Sequence, residues 1–241
     1  GETSYLPVMM TGLLIARSCE TSLNSSVPLK TWCGPTCHLT TPHMFLMLHP
    51  APTKSLHDYI LSIPNAIPLD LCDAILAEYK EFQVARTAGD DPLLTEKGDY
   101  RRCRTIQLSV DETISKNPEI RTHLDQRLFE EMAGPALRTY QEVHPHAEII
   151  TGDSGYELIQ YESGDFYKNH VDHLPHKPRS LSLSVVLNDD FDGGDLSFFG
   201  GSLDLQIPKG SGVMFPSNFM YDHQVKPVTS GTRYSIITWY N

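Results

Sequence analysis

Gly231-Thr232-Arg233-Tyr234-Ser235-Ile236-Ile237-Thr238-Trp239-Tyr240 alternates like a half-buried β-strand, and what it buries decides the reading of the chain. A guanidinium on a strand ending in Ile-Ile-Thr-Trp-Tyr points inward more readily than a surface arginine would, and its planar fork suits a carboxylate. Ser235 lies on the same strand face and can add a hydrogen bond to that carboxylate. Ten residues before Arg233 stands His223, and well before that His170-Val171-Asp172. On extended backbone His170 and Asp172 project to one side. Two imidazoles and one carboxylate are the set that holds Fe(II) on one face and leaves the opposite positions open.

This strand has companions. After His144 helical periodicity vanishes, and short runs follow at 148–151, 156–161, 180–187, 195–199, 203–207, 212–215, 224–228 and 233–240. Gly, Pro, Asn and Asp punctuate them at the spacing of a β sandwich or barrel. Upstream, Asp70 reads as the cap of a helix whose apolar stripe is Leu71, Ile75, Tyr79 and Phe82. Residues 100–110 alternate as a strand. Asn117-Pro118 opens a second helix carrying Ile120, Leu124, Leu128 and Met132, which Gly134-Pro135 should kink or divide. Helices first and strands later predict an α+β chain, with N-terminal helices buttressing a jelly-roll core.

Residues 1–55 differ from the rest: they hold Ser, Thr, Pro and His with no sustained period and read as an N-terminal extension of uncertain order. Residues 56–241 then form the folded domain. The balance of 30 acids against 19 bases, net −11, disfavours nucleic acid, which needs a cationic surface. No apolar run reaches the roughly 18 residues needed to cross a bilayer, so no membrane partner is expected. The stretch 9–16 makes a poor signal peptide, which leaves a cytoplasmic location as the default. Five cysteines do not make a disulfide framework.

Tyr161-Glu162-Ser163-Gly164-Asp165-Phe166-Tyr167-Lys168-Asn169-His170-Val171-Asp172 resembles the Y-x-x-G-x-x-Y-x-x-H-x-D signature of the prolyl 4-hydroxylase-like Fe(II)/2-oxoglutarate oxygenases. Arg179 to Asn188, Gly193-Gly194-Asp195-Leu196-Ser197-Phe198, His223-Gln224-Val225 and Gly231-Thr232-Arg233-Tyr234-Ser235 follow in that family's order. A lone H-x-D is weak; five elements in order are specific. The resemblance implies a double-stranded β-helix with iron at one open end, held by His170, Asp172 and His223. It implies that Arg233, with Ser235, takes the far carboxylate of 2-oxoglutarate, that Tyr161 lines the cosubstrate pocket, and that Tyr167 flanks the approach to the metal. O₂ is the second cosubstrate, succinate and CO₂ the coproducts, and ascorbate a reductant. Asp172 favours hydroxylation, because halogenating relatives carry a small residue in place of the acid. The implied target is a prolyl residue in a peptide or protein. The same chemistry on a free amino acid or another small molecule is an alternative, as is a metal-binding jelly-roll module without turnover.

Other features have blander readings. Gly193-Gly194 suits a turn needing positive φ. His173 and His176 belong at the site's mouth or in solvent. Trp32-Cys33-Gly34-Pro35-Thr36-Cys37 has one residue too many for a thioredoxin motif, and Cys33, Cys37, His38 and His43 form only a weak zinc pattern. Cys72 and Cys103 read as packing residues, Arg101, Arg102 and Arg104 as a solvated strand edge, and 89–98 as a lid.

Overall fold

The computed structural model describes residues 54–79, 86–87, 100–109 and 118–241. The expected extension, the cysteine–histidine stretch 33–43, the lid at 89–98, Phe82 and Asn117 lie outside the described residues.

The strands run in chain order as β1 (Leu61–Ile63), β2 (Arg86–Thr87), β3 (Arg101–Gln107), β4 (Glu157–Glu162), β5 (Phe166–His170), β6 (Leu181–Val186), β7 (Phe191–Gly193), β8 (Leu196–Phe198), β9 (Leu203–Leu205), β10 (Gly212–Pro216), β11 (His223–Val225) and β12 (Val228–Tyr240). Their order is β1-β10-β6-β12-β4-β3 on one side and β3-β5-β11-β8-β9 on the other. All pairings are antiparallel. β3 joins the two: Arg104 to Gln107 pair with β4, whereas Arg101 and Arg102 pair with Tyr167 and Phe166 of β5. The result is the curled sheet of a double-stranded β-helix.

Three helices cover the outer face of the larger sheet: α1 (Leu69–Tyr79), α2 (Pro118–Leu128) and α3 (Gly134–Val143). Leu71, Ile75, Leu124, Leu128 and Met132 pack with Leu158, Leu183, Val185 and Ile236 in one apolar cluster. Tyr240 seals it by donating its hydroxyl to the Ala133 carbonyl at 2.9 Å. A second cluster, including Tyr161, Phe198, Phe215 and Val225, lies on the inner side. Among the described residues no helix is long and apolar enough to cross a membrane.

Several local expectations need correction. Asp70 is the second residue of α1, and the Pro68 carbonyl accepts from the first free amides of the helix. Ile120 is 41 % exposed and leaves the stripe that Leu124, Leu128 and Met132 keep. Gly134-Pro135 does not divide the helix. The chain passes through a π turn at Phe129–Ala133, where the Gly134 amide reaches back to Phe129, and continues as α3. Widening the turn just before a residue with no N–H absorbs the proline without a break. Residues 148–151 are no strand, because Pro145–Ile149 form a 3₁₀ turn.

Candidate functional site

β5 and β11 are neighbours, and their register puts His223 directly opposite His170. Their rings lie 4.2 Å apart, centroid to centroid. Asp172, just past the end of β5, folds back between them, with one oxygen 3.5 Å from His170 Nε2 and the other 3.7 Å from His223 Nε2. One ligating atom from each residue lies within 4.8 Å of the others. This is the only such group among the described residues; His173 and His176 are exposed and outside it.

Hydrogen bonds set the chemistry of the group. His170 Nδ1 faces the Lys168 carbonyl at 2.9 Å, and His223 Nδ1 faces the Tyr221 carbonyl at 3.1 Å. A carbonyl only accepts, so each Nδ1 carries the proton and each Nε2 presents its lone pair to the centre. Burial, with His170 nearby, pushes the His223 imidazole down to about 4. Burial acting alone would raise Asp172; the two neighbouring imidazoles and the hydrogen bond from Ser182 instead hold it well below the usual carboxylate range. Ser182 donates to Asp172 Oδ2 at 2.6 Å and meets Ser217 at 2.8 Å. Arg179, stacked 3.4 Å from the Trp239 ring centroid, donates to the Asp172 carbonyl at 3.1 Å. Phe215 packs edge-on against His223, and Tyr167 stacks on His170 at 3.5 Å. A neutral, neutral, anionic set with converging lone pairs, and its other edges held, fits a divalent iron.

Arg233 sits on the inner face of β12, opposite Tyr161 of β4. It is 2 % exposed, and its Nη1 donates to Ser235 Oγ at 3.0 Å. Burial lowers its pKa, while Tyr161 and Asp195 oppose that, and a guanidinium stays charged throughout. Gly194 makes room for it: φ is +68°, and a Cβ there would lie 2.8 Å from Arg233 Cδ. No acid among the described residues is within ion-pairing distance of Arg233. A cavity of about 370 Å³ is lined by Arg233 along with Asp192, Asp195 and Lys209; the triad is not part of its lining.

Of the residues singled out in the sequence, His170, Asp172 and His223 converge, Arg233 and Ser235 bond to each other, Tyr161 is buried beside Arg233, and Tyr167 lies on His170. Sequence reasoning missed Ser182, Ser217, Arg179 and Trp239 around Asp172. Ser182 sits in an alternating Ser-Leu-Ser-Leu-Ser run, a signal available but unused. The solvated-edge reading fails for Arg101, which turns inward beside Cys103 because the two share a strand face; Arg102 is exposed.

A model of the 2OG-Fe(II) oxygenase superfamily matches residues 156–241. A PKHD-type hydroxylase of Synechococcus sp. (strain CC9902) is 37 % identical over 88 residues, 34 % of this chain and 39 % of that protein. The chain thus spans about two fifths of the length of the curated relatives it matches. Two solved structures are similar in fold. A Pseudomonas putida prolyl-4-hydroxylase has a TM-score of 0.51 at 21 % identity, covering 76 % of this chain and 92 % of its own. A Trichoplax adhaerens prolyl hydroxylase, in complex with a hypoxia inducible factor peptide fragment, has a TM-score of 0.54 at 18 % identity, covering 76 % and 83 %.

Proposed function

Because residues 156–241 match a model of the 2OG-Fe(II) oxygenase superfamily, we propose that the chain is an Fe(II)- and 2-oxoglutarate-dependent dioxygenase hydroxylating a prolyl residue in a peptide or protein. The observation that carries this reading is the convergence of two neutral imidazoles and one carboxylate within 4.8 Å, with a buried arginine in the same sheet interior that lacks an acid partner among the described residues. His170, Asp172 and His223 hold the iron. Arg233 and Ser235 take the distal carboxylate of 2-oxoglutarate, beside Tyr161. When bound, iron, 2-oxoglutarate and O₂ supply the oxidation, yielding succinate, CO₂ and one oxygen inserted into a substrate C–H bond. Ascorbate serves as reductant.

The chain's own residues do the rest. The Lys168 and Tyr221 carbonyls keep both imidazoles in the ligating tautomer, and Ser182 and Arg179 fix Asp172. Phe198, Phe215 and Tyr161, all buried, exclude water from the interior. Tyr167 screens one side of His170, leaving the approach to the metal defined. The presence of Asp172 as a carboxylate supports hydroxylation over halogenation. Residues 56–241 are the proposed catalytic domain and 1–55 an extension. A peptide target is supported by the prolyl hydroxylase neighbours, one solved with a peptide.

The test is succinate formation under air with Fe(II) and ascorbate, with and without a panel of proline-containing peptides. A gain of one oxygen on a peptide, matched by succinate, is the expected result. Succinate indifferent to every peptide would move the target to a free amino acid or another small molecule. Iron binding without succinate would reduce the protein to a metal-holding module.

A further inference from the structure

Three arginines share β3, and the pleat sends them to different surroundings. Arg104 reaches Glu162 at 3.5 Å, and Arg102 is exposed over the Phe166 ring. Arg101 is half-buried on the face that carries Cys103, and its Nε donates to Cys103 Sγ at 3.0 Å. Its guanidinium carbon stands 4.6 Å from the Tyr167 ring centroid. The Tyr167 ring lies at 3.5 Å and 14° on His170. Guanidinium, phenol and imidazole therefore form one stack that ends at the triad.

Arg101 shares with Arg233 a charge that no carboxylate among the described residues meets at ion-pairing distance, unlike Arg104 and Arg127. Half-buried Arg127 is given two carboxylates, Asp70 at 2.9 Å and Glu131 at 2.6 Å, and Arg104 is given Glu162. Arg101, nearer the interior, has no acid at ion-pairing distance among the described residues. Its Nε is committed to a thiol, a weak acceptor. A guanidinium held by ring stacking, with no carboxylate among the described residues at ion-pairing distance of its remaining N–H donors, has the geometry for a planar carboxylate.

We propose that Arg101 is a second carboxylate-binding residue of this site, distinct from Arg233, and takes a carboxylate in the approach lined by Tyr167. The proposal rests on the oxygenase reading above. The carboxylate has two possible sources with the same chemistry: 2-oxoglutarate itself at its metal-side end, or the substrate, as an acidic side chain or a free α-carboxylate.

The experiment uses the full chain and the variants Arg101→Gln and Arg101→Lys. 2-Oxoglutarate is titrated calorimetrically into the Fe(II) protein without O₂. Turnover under air is then compared for peptides carrying Asp or Asn beside the proline, and for proline against prolinamide. A substrate source predicts about a tenfold or greater preference for carboxylate over amide, collapsing in Arg101→Gln at unchanged 2-oxoglutarate affinity. A cosubstrate source predicts a comparable weakening of 2-oxoglutarate binding in Arg101→Gln. In either case Arg101→Lys, which keeps the charge and loses the fork, recovers part of the loss. Folded variants with both quantities unchanged would make Arg101 a packing residue and overturn the proposal. If the wild type consumes no 2-oxoglutarate, the oxygenase reading fails while anaerobic calorimetry still judges Arg101: weaker binding of 2-oxoglutarate or of the Asp peptide in Arg101→Gln supports it, and equal binding of both refutes it. A wild type that binds no 2-oxoglutarate sinks both.

Discussion

The two faces of β12 and its neighbours β4 and β6 are one residue apart and chemically unlike. Outward, Tyr234, Ile236 and Tyr240, with Leu158, Leu183 and Val185, meet the helices in a continuous apolar cluster. Inward, Arg233, Ser235 and Ser182 occur among Ile159 and Tyr161, and the triad completes the same interior. Both faces are buried, so burial alone does not tell chemistry from packing. The outer face is uniform because its only task is to keep water from the helix–sheet contact. The inner face tolerates buried charge because the groups at the site have partners: Ser182 on Asp172, Ser235 on Arg233, backbone carbonyls on both imidazoles. Substitutions on the inner face should therefore change chemistry more than stability, and those on the outer face the reverse.

The largest effect belongs to the inner face. His223→Ala removes a ligating nitrogen, and iron-dependent succinate formation should fall by more than the roughly 100-fold that loss of an outer partner costs. The metal-free protein should keep its circular dichroism and stay within a few degrees of the wild-type thermal midpoint. Retained turnover would place the metal elsewhere.

On the outer face, Ile236→Ala, one residue from Ser235, should cost about 2–5 kcal/mol in urea unfolding. Specific activity per folded molecule should be nearly unchanged. If activity fell tenfold at full folding, the two faces would be coupled and the division drawn here would be wrong.

The same division explains what could be read from sequence. Arg233, Ser235 and the strand around them were legible because period two is a local property of ten residues. His170 and His223 could be named as partners, but their direct cross-strand pairing depends on register between segments 53 residues apart, as β5 and β11 meet. Arg101 was misread because three arginines in four positions look solvated, although Cys103 at 0 % exposure marks the inward face two residues away. The cap was placed two residues too late at Asp70, since Pro68 supplies the helix start. Residues 145–151 show only short-range preferences that a strand and a 3₁₀ turn share, and Pro145 settled the matter. Ser182 carried no signal beyond alternation, because its partner Ser217 is 35 residues away.

A milder inner-face change tests whether those outer partners matter. Ser182→Ala leaves Asp172 Oδ2 without its 2.6 Å donor while Arg179 still holds the backbone. Iron affinity should fall about 10–100-fold, read by competition with a chelator, and Ser182→Thr should restore most of it. An unchanged affinity would mean that Arg179 alone fixes the carboxylate.

The smallest effect separates the faces by pH. His223, pushed by burial from an ordinary value of 6.5 down to about 4, resists protonation in the folded metal-free protein. The unfolded chain binds that proton more readily, so stability is full above pH 6.5 and is lost as pH falls toward 4. His144, buried against Tyr59 and Tyr140 at the end of α3, is also lowered by burial and acts in the same direction. Asp172 is depressed too, but its contribution is lost only below the ordinary carboxylate value of 3.8, outside this window. Each histidine can contribute at most about 1.4 kcal/mol per pH unit. Thermal midpoints of the metal-free protein should therefore drop between pH 6.5 and 5, and His223→Gln should flatten the drop without abolishing the part due to His144. Ile236→Ala should instead lower the midpoint at every pH and keep the slope. A slope that Ile236→Ala changed and His223→Gln did not would locate the titrating groups outside the inner face.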